Sequence, residues 1–344
     1  MIKVLVIDDS PLIRMVLTEI LQQAGDIEVV GVAEDPYEAR EKIKTLHPDV
    51  LTLDVEMPKM DGISFLKNLM RLRPMPVIMV STLTKQGSPV TLEALEIGAV
   101  DFIAKPSVNV ASQLQSYAEL LYQKIRVAHK AKLRPFKPHD DKDVTVVNEF
   151  KAFSSQAVLA IGASTGGTEA IKEVLIRMPT HCPPIVVTQH IPPVFSTSFA
   201  LRMDKTCAIT VKEAVDGDVL KPGFAYIAPG DQHLKVVRRG TQLHCLLDNG
   251  ELVNRHKPAV DVLFHSLVES VGKHTSAVLL TGMGSDGARG LLALREVGAH
   301  TFAQDEATSV VWGMPRAAFE MNAAQALVPL PKVCQQLLKS AARN

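Results

Sequence analysis

Short, almost wholly apolar runs recur along this chain, separated by segments with helical periodicity. That alternation leaves few architectures open. In the first 128 residues the runs are Val4–Ile7, Val29–Ala33, Val50–Leu53, Val77–Val80 and Phe102–Ala104. A strand apolar at every position is buried on both faces, which is the habit of a parallel sheet with helices on each side. The segment after the first run reads SPLIRMVLTEILQQAG: Ser10 can cap, Pro11 suits the first helical position, Gly25 suits the stop, and Ile13, Val16, Leu17, Ile20 and Leu21 share one face. The second helix repeats the logic, with Asp35 as cap, Pro36 after it, and Ala39, Ile43 and Leu46 inward. Five such units predict a doubly wound parallel α/β domain.

The pattern resumes after residue 154 with runs at Val158–Ile161, Ile185–Thr188, Ala225–Ala228, Ala277–Leu280 and Ala299–Ala303. A hairpin is expected from Leu234–Val237 and Leu243–Leu247, turning near Arg239 and Gly240. The 344 residues therefore divide into a first α/β domain over 1–128, a linker over 129–153 and a larger, mostly parallel α/β domain over 154–344. The linker holds Pro135, Pro138 and mixed charges; its apolar residues Phe136, Val144, Val146, Val147, Phe150 and Phe153 leave both docking and a free linker open. Lys plus Arg and Asp plus Glu are both 37, which argues against a large electrostatic footprint for nucleic acid or an anionic membrane, though not against a local patch. No apolar run reaches the ~20 residues of a membrane helix, and Asp8 and Asp9 cut short the first run, unlike a signal peptide. Cys182, Cys207, Cys245 and Cys334 are scattered, as thiols of a reducing cytoplasm would be.

Polar residues at strand ends carry the chemistry of the first domain. Asp8 and Asp9 follow strand one, Asp54 ends strand three, Ser81 and Thr82 end strand four, and Lys105 ends strand five. Ligands of such sheets bind beyond the carboxyl ends of the strands. Three carboxylates gathered there repel one another unless a hard cation, of which Mg²⁺ is the natural choice, sits among them. Asp54 could then attack a phosphoryl group whose oxygens Ser81 and Lys105 brace. The segments VLVIDDS, LTLDVEMPKMDG, VIMVST and DFIAKP resemble the response-regulator receiver family. The resemblance implies a flavodoxin-like fold, phosphorylation of Asp54 by a histidine kinase, and Mg²⁺ held by Asp8, Asp9, Asp54 and the backbone carbonyl of Glu56. It also implies phosphoryl contacts from Ser81 and Lys105, Phe102 at the switch aromatic position, and Lys105–Pro106 as the usual place of a cis peptide.

In the second domain the first run opens into GASTGGTEAI, where Gly162 to Gly166 fit G-x-S-x-G between strand and helix. Ser164 is the candidate nucleophile. A glycine-rich loop cradling a phosphate is the alternative, although neither G-x-G-x-x-G nor G-x-x-x-x-G-K-[ST] is present. A serine hydroxyl needs a base, and the run PIVVTQH delivers His190 at its end. His256 lies in a polar loop and could contact substrate; His265, on an apolar helical stretch, is expected in the core or at the rim. Asp286, within GMGSDGARG, could orient His190, with Asp216, Asp231 and Asp305 as competitors; the Met283 N–H is a candidate oxyanion donor.

The segments AIGASTGGTEAI, TQHIPP, YIAPGDQH, RHKPAVDVLFHS and LTGMGSDGARG resemble the chemotaxis protein-glutamate methylesterase (CheB) family. The resemblance implies hydrolysis of glutamate γ-methyl esters on methyl-accepting chemotaxis receptors, with release of methanol, and deamidation of receptor glutamines. It implies Ser164 as nucleophile, His190 as base, Asp286 as its orienter, and backbone N–H groups of Met283 and Thr165 in the oxyanion hole. Hydrolysis needs no metal on this reading; Mg²⁺ serves the receiver, whose phosphodonor is the kinase CheA. A monomeric cytoplasmic enzyme is expected, its resting receiver covering the catalytic face. Two other functions remain open on the residues alone: a non-enzymatic regulator whose second domain binds a nucleotide or partner, and a general small-ester hydrolase.

Overall fold

A computed structural model describes residues 1–81, 88–106, 111–133, 145–150 and 152–342. The chain forms two compact units, Met1–His139 and Asp140–Asn344. Thr82, Phe136 and Val144 lie outside the described residues.

The first unit runs β1 (Ile2–Ile7), α1 (Pro11–Gln22), β2 (Ile27–Ala33), α2 (Pro36–Leu46), β3 (Val50–Asp54), α3 (Gly62–Leu72), β4 (Val77–Ser81), α4 (Ser88–Ile97), β5 (Asp101–Ala104) and α5 (Ala111–Lys130). Its sheet has the order β2-β1-β3-β4-β5, parallel throughout. The helix starts follow from the sequence. Ser10 accepts from the Ile13 N–H, Asp35 from the Tyr37 and Glu38 N–H groups, and a proline fills the next position each time. Leu17, Ile20 and Leu21 form the buried face of α1, which ends at Gln22, ahead of the glycine expected to stop it. The cis peptide among the described residues is Lys257–Pro258; the bond at Lys105–Pro106 is not cis, trans being the lower-energy form for X–Pro.

The second unit runs β6 (Val158–Ala163), α6 (Gly167–Leu175), β7 (Ile185–Gln189), α7 (Pro193–Thr206), β8 (Thr210–Glu213), β9 (Phe224–Ile227), β10 (His233–Arg239), β11 (Gln242–Asp248), α8 (Val260–Ser270), β12 (Thr275–Leu279), α9 (Ala288–Glu296), β13 (His300–Gln304), α10 (Met314–Glu320), β14 (Ala326–Val328) and α11 (Leu330–Ala341). Its seven-stranded sheet has the order β14-β13-β12-β6-β7-β9-β8, and all its ladders are parallel. The hairpin β10–β11 pairs Arg239 with Gln242 and turns through Gly240 at φ 61°. Alternate strand residues face opposite layers. Val158, Ala160, Ala277 and Leu279 join Val260, Phe264, Leu267, Leu291 and the hairpin's Leu234 and Val236 in one core. Ser276, on the other face, meets Ser340 of α11. The chain leaves β6 toward β7 on one side and reaches β12 on the other, so a crevice opens beyond the ends of β12, β6 and β7.

The stretch before β6 docks on this same unit. The Val147 N–H donates to the Arg177 carbonyl, the His181 ring bonds the Phe150 carbonyl at 3.0 Å, and Phe153 bridges to Ala342. Of the two linker states the sequence left open, Val147, Phe150 and Phe153 take the docked one.

Candidate functional site

Three adjacent strands deliver the site. Ser164 follows β6, His190 follows β7, and Asp286 lies between β12 and α9. The Ser164 backbone is pinned on both sides: its N–H donates to the Thr281 carbonyl, and its carbonyl accepts from the Gly167 N–H and the Gln189 side-chain amide. The left-handed turn into α6 falls on Gly166, at φ 73°, not on the serine. Gly282 sits against the serine so closely that an added Cβ would stand 2.7 Å from the Ser164 Cβ and 2.3 Å from the Met314 sulfur.

The three side chains form one hydrogen-bonded line. His190 Nδ1 is 3.1 Å from Ser164 Oγ, and Nε2 is 2.8 Å from Asp286 Oδ2. An ionised Asp286 can only accept, so the ring proton belongs on Nε2, leaving Nδ1 as the acceptor for the serine hydroxyl. The imidazole is thus used the opposite way round from the serine-protease arrangement, in which Nε2 faces the serine. Geometrically, the line can take a proton from Ser164 and hold the resulting charge.

Asp286 owes its state to several elements. Burial opposes its charge, but hydrogen bonding to His190, the charge of that ring, the Asn254 amide and the Val260 N–H outweigh burial and bring its pKa down to about 2. Oδ2 accepts from the Val260 N–H at 2.6 Å and Oδ1 from the Asp261 N–H at 3.2 Å. The residue preceding α8 is Ala259, which has no capping side chain, so Asp286 caps that helix from outside. The exchange is reciprocal: Asp261, in the first turn of α8, accepts from the Gly290 N–H of α9 at 2.7 Å, where Gly287 offers no side chain. Burial, reinforced by Asp286, raises the Asp261 pKa. The Asn254 amide donates to Asp261 Oδ2 at 2.8 Å and to Asp286 Oδ1 at 2.7 Å.

Of the other candidates, His256 lies against the site, its ring stacked on His190 with centroids 3.7 Å apart and planes 13° from parallel. His265 is exposed, at the rim and not in the core, because it sits on the outer side of α8, its Nδ1 on the Asp261 carbonyl of its own helix. The competing acids are engaged elsewhere. Asp216 accepts from the Leu247 N–H, Asp231 is exposed near Lys257, and Asp305 caps its own loop at Thr308. Among the described residues the Met283 N–H donates to no acceptor, while Thr165 is buried at the start of the same turn. The sequence did not single out Gln189 or Asn254. Asn254 had one available signal, since asparagine is the residue most tolerant of left-handed backbone after glycine.

In the first unit Asp8, Asp9 and Asp54 bring carboxylate oxygens within 4.8 Å of one another. Lys105 Nζ lies 2.7 Å from Asp54 Oδ2 and 3.2 Å from Asp8 Oδ2. The second contact lacks the alignment of a hydrogen bond, so Asp8 Oδ2 is buried without a hydrogen-bond partner. Burial raises Asp54 to about 6; Lys105 pulls against that rise, Asp8 adds to it, and the Glu56 backbone donates to the carboxylate. Buried oxygens whose charge is incompletely balanced fit a hard divalent cation. Ser81 is buried beside Thr91, whose hydroxyl lies 3.1 Å away, and Phe102 is buried on β5 with Lys124 Nζ 5.8 Å from its ring centroid.

Comparison with known proteins places both units. Residues 159–337 match the CheB methylesterase family model and residues 4–116 the response regulator receiver domain. A protein of Xanthomonas euvesicatoria pv. vesicatoria named protein-glutamate methylesterase/protein-glutamine glutaminase 1 is 52% identical over 350 residues, covering 99% of this chain and 98% of its own. A similarly named Escherichia coli protein (strain 536) is 52% identical over 340 residues, covering 98% and 96%. The crystal structure of the Thermotoga maritima CheB methylesterase catalytic domain, 40% identical, superposes with a TM-score of 0.53, covering 54% of this chain and 99% of that one. The chain belongs to the CheB methylesterase family and carries a response-regulator receiver domain ahead of the esterase domain.

Proposed function

We propose that this protein is a phosphorylation-activated chemotaxis methylesterase. It hydrolyses glutamate γ-methyl esters on methyl-accepting receptors, and deamidates receptor glutamines, in the cytoplasm. The receiver occupies residues 1–128, the linker 129–153 and the esterase domain 154–344. The observation that carries this reading is the line from Ser164 through His190 to Asp286 at the mouth of a sheet crevice. Ser164 attacks the ester carbonyl as Nδ1 of His190 takes its proton, and Asp286 holds the charged ring. The backbone N–H groups of Met283 and Thr165 receive the oxyanion, each such donor being worth about 3 kcal/mol. As the C–O bond (or the C–N bond in deamidation) breaks, His190 gives its proton to the departing oxygen or nitrogen, which leaves as methanol or ammonia, and then takes a proton from the water that clears the acyl group. An uncommitted Met283 N–H supports that assignment.

In the receiver, Asp8, Asp9, Asp54 and the Glu56 carbonyl would hold Mg²⁺, which when bound offsets their charge. Asp54 accepts the phosphoryl group from the kinase CheA, and Ser81 and Lys105 contact its oxygens. The name shared by the relatives supports the two activities, and the receiver supports the phosphodonor.

The test is methanol release from methylated receptor membranes, with and without a small phosphodonor. Ser164→Ala is expected to abolish release while receptor binding persists; turnover by that variant would place the nucleophile elsewhere. A free glutamate methyl ester turned over as well as the receptor would favour a general esterase instead.

A further inference from the structure

The loop joining β11 to α8 contains a turn that touches both the acid and the base of the site. Val253 and His256 exchange backbone hydrogen bonds at 3.1 and 2.9 Å across Asn254 and Arg255. Both central residues are left-handed, at φ 52° and 67°. Such a turn favours glycine or asparagine, and arginine at the second position carries steric cost. Backbone strain of this kind persists where surrounding contacts over-determine it.

Those contacts lie on either side of the arginine. Asn254 points its amide between two buried carboxylates, and only the nitrogen face can serve both, since each carboxylate accepts. Together with the Val260 and Asp261 N–H groups, this amide holds the rotation of Asp286 about its side chain, and so the direction in which Oδ2 meets His190. Two positions later the His256 ring lies flat on the His190 ring. The stack leaves His190 free to slide a proton in its own plane but opposes tipping out of the Ser164–Asp286 line.

We propose that the turn 253–256 is a positioning clamp for the reaction assigned above, Asn254 setting the acid and His256 setting the plane of the base. The proposal rests on the esterase reading. Neither side chain needs to exchange a proton with substrate. Their loss should therefore appear in kcat and leave KM nearly alone, because misplacing a reacting group by a fraction of an ångström lowers turnover more than binding.

The test uses the full chain and methanol release from methylated receptor membranes. Asn254→Gly keeps a residue at home in the left-handed turn and removes only the amide. It is expected to lower kcat ~10- to 100-fold with KM within about twofold. His256→Gly is expected to lower kcat ~10-fold, and His256→Phe, which keeps a flat ring, to recover most of that loss. Because His256 is not in the core, this second pair reports even if Asn254→Gly fails to fold. Ser164→Ala is the control. If that control is dead while Asn254→Gly and His256→Gly turn over like the parent, the clamp is wrong and the esterase reading stands. If His256→Phe falls as far as His256→Gly, or the loss lies in KM, His256 acts on substrate and not on the base. Turnover by Ser164→Ala would overturn the underlying reading and the clamp with it.

Discussion

Asp286 shows how much one carboxylate is asked to do. Its pKa is held to about 2, below the usual carboxylate range, so folding favours the ionised form. The sign follows by linkage: the stabilisation is present above the unfolded value near 3.8 and is lost as pH falls through about 2. A shift of that size corresponds to roughly 2 kcal/mol. Asp286→Asn is expected to cut esterase turnover by orders of magnitude, as removing the acid of such a triad does. It should also lower the unfolding midpoint at pH 7 and flatten the acid limb between pH ~4 and ~2. Thermal unfolding followed across that range, beside methanol release, checks both. A variant with unchanged stability would show that the caps on α8 are replaceable; a near-normal rate would remove Asp286 from the chemistry. Ser164, His190 and Asp286 were legible because each ends an apolar run or sits among glycines. Asn254 was not, because its partner Asp286 lies 32 positions away and only packing brings them together.

Strands and helices set the site by closeness. Gly282 lies in the loop after β12, against the turn after β6, and the side on which a Cβ would stand faces the serine. Gly282→Ala is expected to displace Ser164 and reduce turnover ~100-fold while the sheet survives; labelling by a serine-directed phosphonate should slow in parallel, and parent-like labelling would show that the turn yields instead. Most elements could be read from the sequence because buried parallel strands are uninterrupted apolar runs, and the observed ends differ from the expected ones by a residue or two. Two strands escaped. β8, with the sequence TVKE, is a half-exposed edge strand with one buried apolar residue, and β14 is only three residues long, ALV. Edge strands bury one face at most, so their sequences carry little of the signal on which such reading depends.

The two units invite a deletion that separates regulation from chemistry, and the docked stretch dictates where to cut. Removing residues 1–139 leaves Val147, Phe150 and Phe153 in place on the esterase domain. That fragment is expected to fold and, if the resting receiver covers the catalytic face, to demethylate receptors faster than the unphosphorylated full chain. Methanol release compared at equal concentration checks it; no rise in basal activity would rule out occlusion. Cutting at residue 154 instead should yield a less stable fragment of the same site. Among the described residues no helix is long and apolar enough to cross a membrane. The crossed caps between α8 and α9 bear on how an inert form would be made for trapping receptors. Blunting the Asp286 carboxylate would strip the start of α8 of its cap and give a fragile decoy. Trimming the hydroxyl of Ser164, the proposed nucleophile, takes away a group that bonds His190 and caps no helix, so a stable bait is best built there.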